Sequence, residues 1–207
     1  MKTLYLGTDP SHYKCEGQLV HFPVIKTIPR DGSEIRKAFA DMPLYTHLIF
    51  SSKNAVEIFF SKYPQPIRHK IIAAIGKVTA HTLMRRGYQP EFIPEEETQE
   101  GLIDLLKVQE LRNSYFFLPR SSLSRPALVH FFQFRAIKYR AVDLYDTEHV
   151  KPDFTVNLEE FHQIVFTSPS TVIAFFKLFT TVPKHIKLLP IGPITQKKLE
   201  ELAPVSN

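Results

Sequence analysis

Leu48-Ile49-Phe50-Ser51-Ser52-Lys53-Asn54-Ala55-Val56-Glu57-Ile58-Phe59-Phe60 decides the fold, because the chain writes it twice. Ile164-Val165-Phe166-Thr167-Ser168-Pro169-Ser170-Thr171-Val172-Ile173-Ala174-Phe175-Phe176 repeats the pattern 116 residues later. Ile75-Gly76-Lys77-Val78-Thr79 and Ile191-Gly192-Pro193-Ile194-Thr195 match at the same offset, as do Leu83 and Leu199. An ungapped self-match over such a stretch means two copies of one architecture, and so few copies of so long a period exclude a solenoid.

Each copy reads as strand, turn, helix, then strand, turn, helix. Leu48 to Phe50 is a short apolar run suited to a buried parallel strand. Ser52 follows as an N-cap, and Val56, Phe59, Phe60 and Tyr63 then line one helix face. The second copy has Ser168 as N-cap, Pro169 at the first helical position, and Val172, Phe175, Phe176 and Phe179 on the face. Ile71 to Ile75 and Lys187 to Ile191 are the next strands, each ending at a glycine that opens another helix. Gly87 stops that helix in the first copy. Thr98 caps a further helix with Leu102, Leu105 and Leu106 on its face. Tyr115 to Leu118 is a strand, and Leu128, Phe131 and Phe132 mark the helix after it. Such alternation predicts parallel sheets with helices on both faces. Outward from the repeat, only 12 residues separate Leu6 from the strand at Leu19, and Pro10 and Gly17 interrupt them. Val20 to Thr27 and Ala141 to Thr147 are extended stretches that flank the complete copy and could pair.

The 207 residues fit one large domain or two small ones, and 43% hydrophobic content with 17 Phe and 8 Tyr excludes disorder. No apolar run is long enough to span a bilayer, and the polar start is not a secretory signal. The single cysteine, Cys15, excludes an internal disulfide framework and predicts a reduced, cytoplasmic protein. A net charge of +5 favours an anionic partner. The basic residues are scattered, so nucleic acid is not expected. The 9 histidines show no metal-ligand spacing, and no Walker loop, G-x-S-x-G or G-x-G-x-x-G is present. Glu95-Glu96-Glu97 reads as a solvated loop leading into a helix, and Cys15 has no evident activating partner.

Ligands of open α/β sheets bind outside the carboxyl ends of the strands. The repeat puts four such ends at Ser51-Ser52, Gly76 to Thr79, Thr167-Ser168 and Gly192 to Thr195. Each precedes a helix, whose unpaired N–H groups and positive dipole end attract anions. Two domains facing one another would offer a large, multiply charged anion such sites from both sides. The plainer alternative is that Ser52 and Ser168 only cap helices while Thr79 and Thr195 only pack. Tyr145, in Leu144-Tyr145-Asp146-Thr147, lies in the flanking stretch. Its hydroxyl is protonated at neutral pH and can donate a proton, or it can be a half-buried strand tyrosine.

In order, spacing and doubling, these segments resemble the uroporphyrinogen-III synthase family. The resemblance spans Leu48 to Val56, Ala74-Ile75-Gly76-Lys77-Val78-Thr79-Ala80, Glu100-Gly101-Leu102, Arg125-Pro126-Ala127-Leu128, Tyr145-Asp146-Thr147, Phe166 to Val172 and Ile191 to Thr195. It implies an α/β fold of two similar domains, each a parallel sheet flanked by helices, joined by a two-stranded linker. The expected boundaries are 1–22 plus 149–207 for a trimmed, discontinuous first domain, 28–141 for the second, and 23–27 with 142–148 for the paired linker. It implies hydroxymethylbilane as substrate and no metal or organic cofactor; because the repeat already supplies two lobes in one chain, a monomer is expected, without membrane or nucleic-acid partners. Tyr145 is then the catalytic acid, and Ser52, Gly76, Thr79, Ser168, Gly192 and Thr195 are substrate contacts. The chain departs from the family pattern at Asp9-Pro10, where Arg-Pro is frequent, in a shortened first helix, and in a C-terminal strand and helix that are almost absent. A two-lobed binding protein without catalysis would keep the anion sites and need no Tyr145.

Overall fold

Short apolar runs ending in cap residues become strands that feed helices. The computed structural model describes residues 1–203. The strands are β1 (Lys2–Tyr5), β2 (Gln18–His21), β3 (Ile25–Pro29), β4 (His47–Phe50), β5 (Ile71–Ala74), β6 (Tyr115–Ser121), β7 (Lys138–His149), β8 (Gln163–Phe166) and β9 (Lys187–Pro190). The helices are α1 (Ser33–Ala40), α2 (Lys53–Lys62), α3 (Lys77–Met84), α4 (Gln99–Lys107), α5 (Ala127–Phe134), α6 (Pro169–Leu178) and α7 (Pro193–Leu202). The chain divides into two compact units, Ile28–Asp146 and Met1–Thr27 with the chain from Thr147 on.

The central unit holds a sheet of order β3-β7-β6-β4-β5. β7, β6, β4 and β5 run parallel. β3 is the edge strand. Val150 N–H donates to Val24 O at one end of the pair and Arg30 N–H donates to Leu144 O at the other, so β3 and β7 run in opposite directions. Alternation along each strand sorts side chains between two cores. Leu48, Phe50 and Phe117 join the core under α1, α2 and α3, while Ile49, Phe116 and Leu118 join the core under α4 and α5. Helices therefore cover both faces of this sheet.

The other unit holds the sheet β2-β1-β8-β9, parallel throughout. The repeat survives at atomic detail. β4 pairs β5 from His47 with Ile71 to Phe50 with Ala74, and β8 pairs β9 from Gln163 with Lys187 to Phe166 with Pro190. Phe59 meets Phe50 edge-on at 5.2 Å and Phe60 lies parallel to Phe50 at 6.4 Å. Phe175 and Phe176 meet Phe166 in the same two ways, at 5.3 and 6.4 Å. Offset-stacked and edge-to-face pairs are the arrangements the ring quadrupole favours, so the repeated triads are repeated packing units.

One expectation is corrected in this unit. Among the described residues, no helix connects β1 to β2, where a shortened one was expected; the connection is turns and bends. Asp9 turns the chain there by accepting from Ser11 N–H and Oγ–H, both at 2.9 Å, and Gly17 reaches β2 with φ +87°. α6 and α7 share the core of Leu4, Phe166, Phe175 and Leu199. The opposite face carries Tyr5, which meets Tyr13 of the helix-free connection at 5.4 Å. A dozen residues broken by Pro10 can close a parallel crossover but cannot also supply a helix.

Candidate functional site

The four strand-end turns fall into two pairs, one pair in each unit. In the central unit β4 and β5 are neighbours, and Ile75 N–H donates to Phe50 O at 2.9 Å, so the Ser52 and Gly76 turns lie side by side. In the other unit Ile191 N–H donates to Phe166 O at 2.7 Å, which does the same for the Ser168 and Gly192 turns. Ser52 caps α2, its Oγ accepting from Ala55 N–H at 3.1 Å. Ser168 caps α6 in a capping box with Thr171, whose Oγ1 accepts from Ser168 N–H at 3.2 Å. Gly76 and Gly192 open α3 and α7 with φ +91° and +81°, a conformation that disfavours any side chain. As glycines, neither Gly76 nor Gly192 caps its helix with a side chain, so the first-turn amides receive no cap oxygen from the N-cap residue. A Glu97 carboxylate oxygen lies over the Gly76 turn, so close that a Cβ on Gly76 would come within 2.7 Å of it. Thr79 and Thr195, in the first turns of these helices, are each only 4% exposed.

Tyr145 is brought to Ser52. Its phenol lies 2.9 Å from Ser52 Oγ, and its side chain is 5% exposed within the core under α2. Burial pushes the phenol above its usual range, and hydrogen bonds with Ser52 and Ser121 offset part of that. The group is protonated at neutral pH and has a fixed hydroxyl partner. One residue further along β7, Asp146 accepts from Ser122 Oγ at 2.6 Å and from Arg30 through Nε and Nη2, each at 2.7 Å. These contacts hold the Asp146 carboxyl below its usual range.

Sequence reasoning passed over the end of β6, which obeys the same strand-end rule. Arg120-Ser121-Ser122-Leu123-Ser124-Arg125 follows the apolar run and carries two arginines and three serines. A shallow pocket opens there, lined by Ile49, Ser51, Gln99, Leu118, Arg120, Ser124, Arg125 and Leu128. Arg125 forks onto Glu100 with two bonds of 2.6 Å, joining two segments far apart in sequence. Gln99 Oε1 accepts from Leu128 N–H at 3.0 Å and so caps α5, which Pro126 cannot do. Among the described residues, no three His, Cys, Asp or Glu side chains gather closely enough to hold a metal ion. No described helix is long and apolar enough to cross a membrane.

A duplicated chain of two α/β units, each with a pair of helix-opening turns side by side at its strand ends, defines a class of two-unit parallel α/β proteins. Comparison narrows the class. The family profile described as Uroporphyrinogen-III synthase HemD matches residues 14–204. The chain belongs to the uroporphyrinogen-III synthase family. A Methanothermobacter thermautotrophicus protein named "Putative uroporphyrinogen-III synthase" is 30% identical over 174 residues, covering 74% of this chain and 68% of its own. The uroporphyrinogen-III synthase of Chlorobaculum parvum is 24% identical over 200 residues, covering 88% and 79%. The crystal structure of uroporphyrinogen-III synthetase from Helicobacter pylori matches at a TM-score of 0.65 and 17% identity, covering 99% of this chain and 90% of that one, which shows the common fold.

Proposed function

We propose that this chain is an active uroporphyrinogen-III synthase of tetrapyrrole biosynthesis, a lyase closing hydroxymethylbilane with loss of water and inversion of ring D. The observation that carries the reading is the Tyr145 phenol, buried, protonated and bonded to Ser52 at the carboxyl end of β4 in a chain of this family. The hydroxymethyl C–O bond of ring A breaks as Tyr145 gives its proton to the departing oxygen, leaving an azafulvene cation. The substituted α-carbon of ring D attacks it to give a spiro intermediate. The bond to ring C breaks and re-forms at the other α-carbon, and the proton lost as ring D regains aromaticity balances the one donated. Holding the chain ends of the substrate in one geometry removes entropy from the barrier, and the backbone donors near Ser52, Gly76, Thr79, Ser168, Gly192 and Thr195 are proposed to take its carboxylates. The stretches 23–27 and 142–148 are proposed as the paired linker, and a cytoplasmic monomer is expected.

The test supplies enzymatically generated hydroxymethylbilane, oxidises the product and separates isomers I and III by chromatography. Isomer III above background supports the reading; isomer I alone at the spontaneous rate leaves a binding protein. General-acid help is worth roughly 10²- to 10⁴-fold, so Tyr145→Phe should lower the isomer III rate by at least about tenfold. Full turnover in that variant would remove Tyr145 from the chemistry.

A further inference from the structure

The pairing of β6 with β7 is regular from Tyr115 with Lys138 up to Arg120 with Asp143. It then skips a residue: Ser121 faces Tyr145, and Leu144 is left over. This bulge changes which face Tyr145 occupies. Along a regular strand Val142 and Leu144 would share one face and Tyr145 would take the other. Here Val142, Leu144 and Tyr145 all lie in the same core, the one that contains α2, and that is how the phenol reaches Ser52. Bulges re-aim a side chain in this way.

The bulge also moves two carboxylates. Asp143 and Asp146, three apart, would point to opposite faces of a regular strand. In this structure one guanidinium reaches both: Arg30 lies 3.7 Å from Asp143 and forks onto Asp146 with two bonds of 2.7 Å. From the other side Arg120 Nε donates to Asp143 at 2.9 Å, and Ser122 Oγ donates to Asp146 at 2.6 Å. Arg30 follows β3 and Arg120 belongs to β6, so the two strands flanking β7 grip it on either side of the extra residue. An unbulged β7 could not satisfy both carboxylates from Arg30.

We infer that Arg30, bridging Asp143 and Asp146, is a positioning residue that holds the β7 bulge and thereby aims the Tyr145 phenol at its site of action. The inference rests on the reading of Tyr145 as the proton donor. Arg30 touches no reacting atom in this scheme; it works through the backbone of residues 143 to 146. Its effect should therefore appear in kcat, and should vanish once the phenol is gone.

The experiment compares wild type, Arg30→Gln, Arg30→Lys, Tyr145→Phe and the double variant Arg30→Gln/Tyr145→Phe. Arg30→Gln should lower kcat for isomer III about tenfold, within the range a general acid supplies, with KM within about twofold. Arg30→Lys, which keeps the charge but loses the fork, should fall between. In the Tyr145→Phe background the Arg30→Gln change should cost less than about twofold more. Equal losses in both backgrounds, or a change mainly in KM, would overturn the inference by making Arg30 a direct substrate contact or a general stabiliser. A second readout is independent of turnover. In protein labelled with 3-fluorotyrosine, the fluorine resonance deleted by Tyr145→Phe identifies Tyr145. Arg30→Gln should move that resonance, and an unmoved one would also sink the inference. Absence of isomer III from wild type would refute the proposed activity alone, and the fluorine spectrum would still decide whether Arg30 holds the bulge.

Discussion

Ser52 has two tasks in this structure, and its counterpart Ser168 has one, so the pair provides an internal control for Ser52→Ala. Both side chains accept from the amide three residues on, at 3.1 Å in α2 and 3.4 Å in α6. Losing such a cap costs about 1 kcal/mol. Ser52 also bonds the Tyr145 hydroxyl at 2.9 Å, and Tyr145 is 5% exposed. A buried hydroxyl that loses its partner costs about 1–3 kcal/mol. Tyr145 keeps a second hydroxyl partner in Ser121, which places the extra cost near the lower end, about 1 kcal/mol. Ser52→Ala should thus destabilise the central unit by roughly 2 kcal/mol, and Ser168→Ala its own unit by roughly 1 kcal/mol. Urea unfolding followed by tyrosine fluorescence and circular dichroism measures both, each unit being fitted as its own transition where the two separate. The decisive comparison repeats Ser52→Ala in Tyr145→Phe protein, where only the cap cost of about 1 kcal/mol should remain. An excess that persists without the phenol, or equal losses at Ser52 and Ser168 in the parent protein, would refute the reasoning.

Glu100 is held below its usual range, first by the hydrogen bond from Arg125, so its charged form favours the folded state. A depressed carboxylate contributes stability above its unfolded pKa and loses it as pH falls; Glu100→Gln should therefore be less stable than wild type at pH 7, with the gap narrowing below about pH 4.5, as unfolding titrations at several pH values would reveal. Phe59 and Phe175 are fully buried equivalents, and truncating either to Ala should cost about 3–5 kcal/mol in its own unit; a calorimetric scan in which both variants lower a single shared transition equally would contradict separate cores.

The duplication, the parallel strands, the cap serines and the two glycine turns were all legible from local sequence. Hydrophobic runs, N-cap chemistry and positive φ are properties of a few consecutive residues, and an offset of 116 residues between Phe50 and Phe166 needs no coordinates to be seen. The missing helix between β1 and β2 was half legible, since Pro10 and Gly17 marked a broken crossover, but that one face of the sheet would instead carry Tyr5 against Tyr13 was not.

What tertiary structure decided was the surroundings of Tyr145. The sequence marked it as a candidate by resemblance and by its hydroxyl, yet alternation along β7 would have set it on the face away from Ser52. Register depends on partners far along the chain: Arg30, Arg120 and Ser122 reach β7 from neighbouring strands, and none is near Tyr145 in sequence. Helix caps and turn glycines act within one turn of backbone, so a single segment encodes them. A bulge is a property of the pairing between strands, and only the folded sheet contains it.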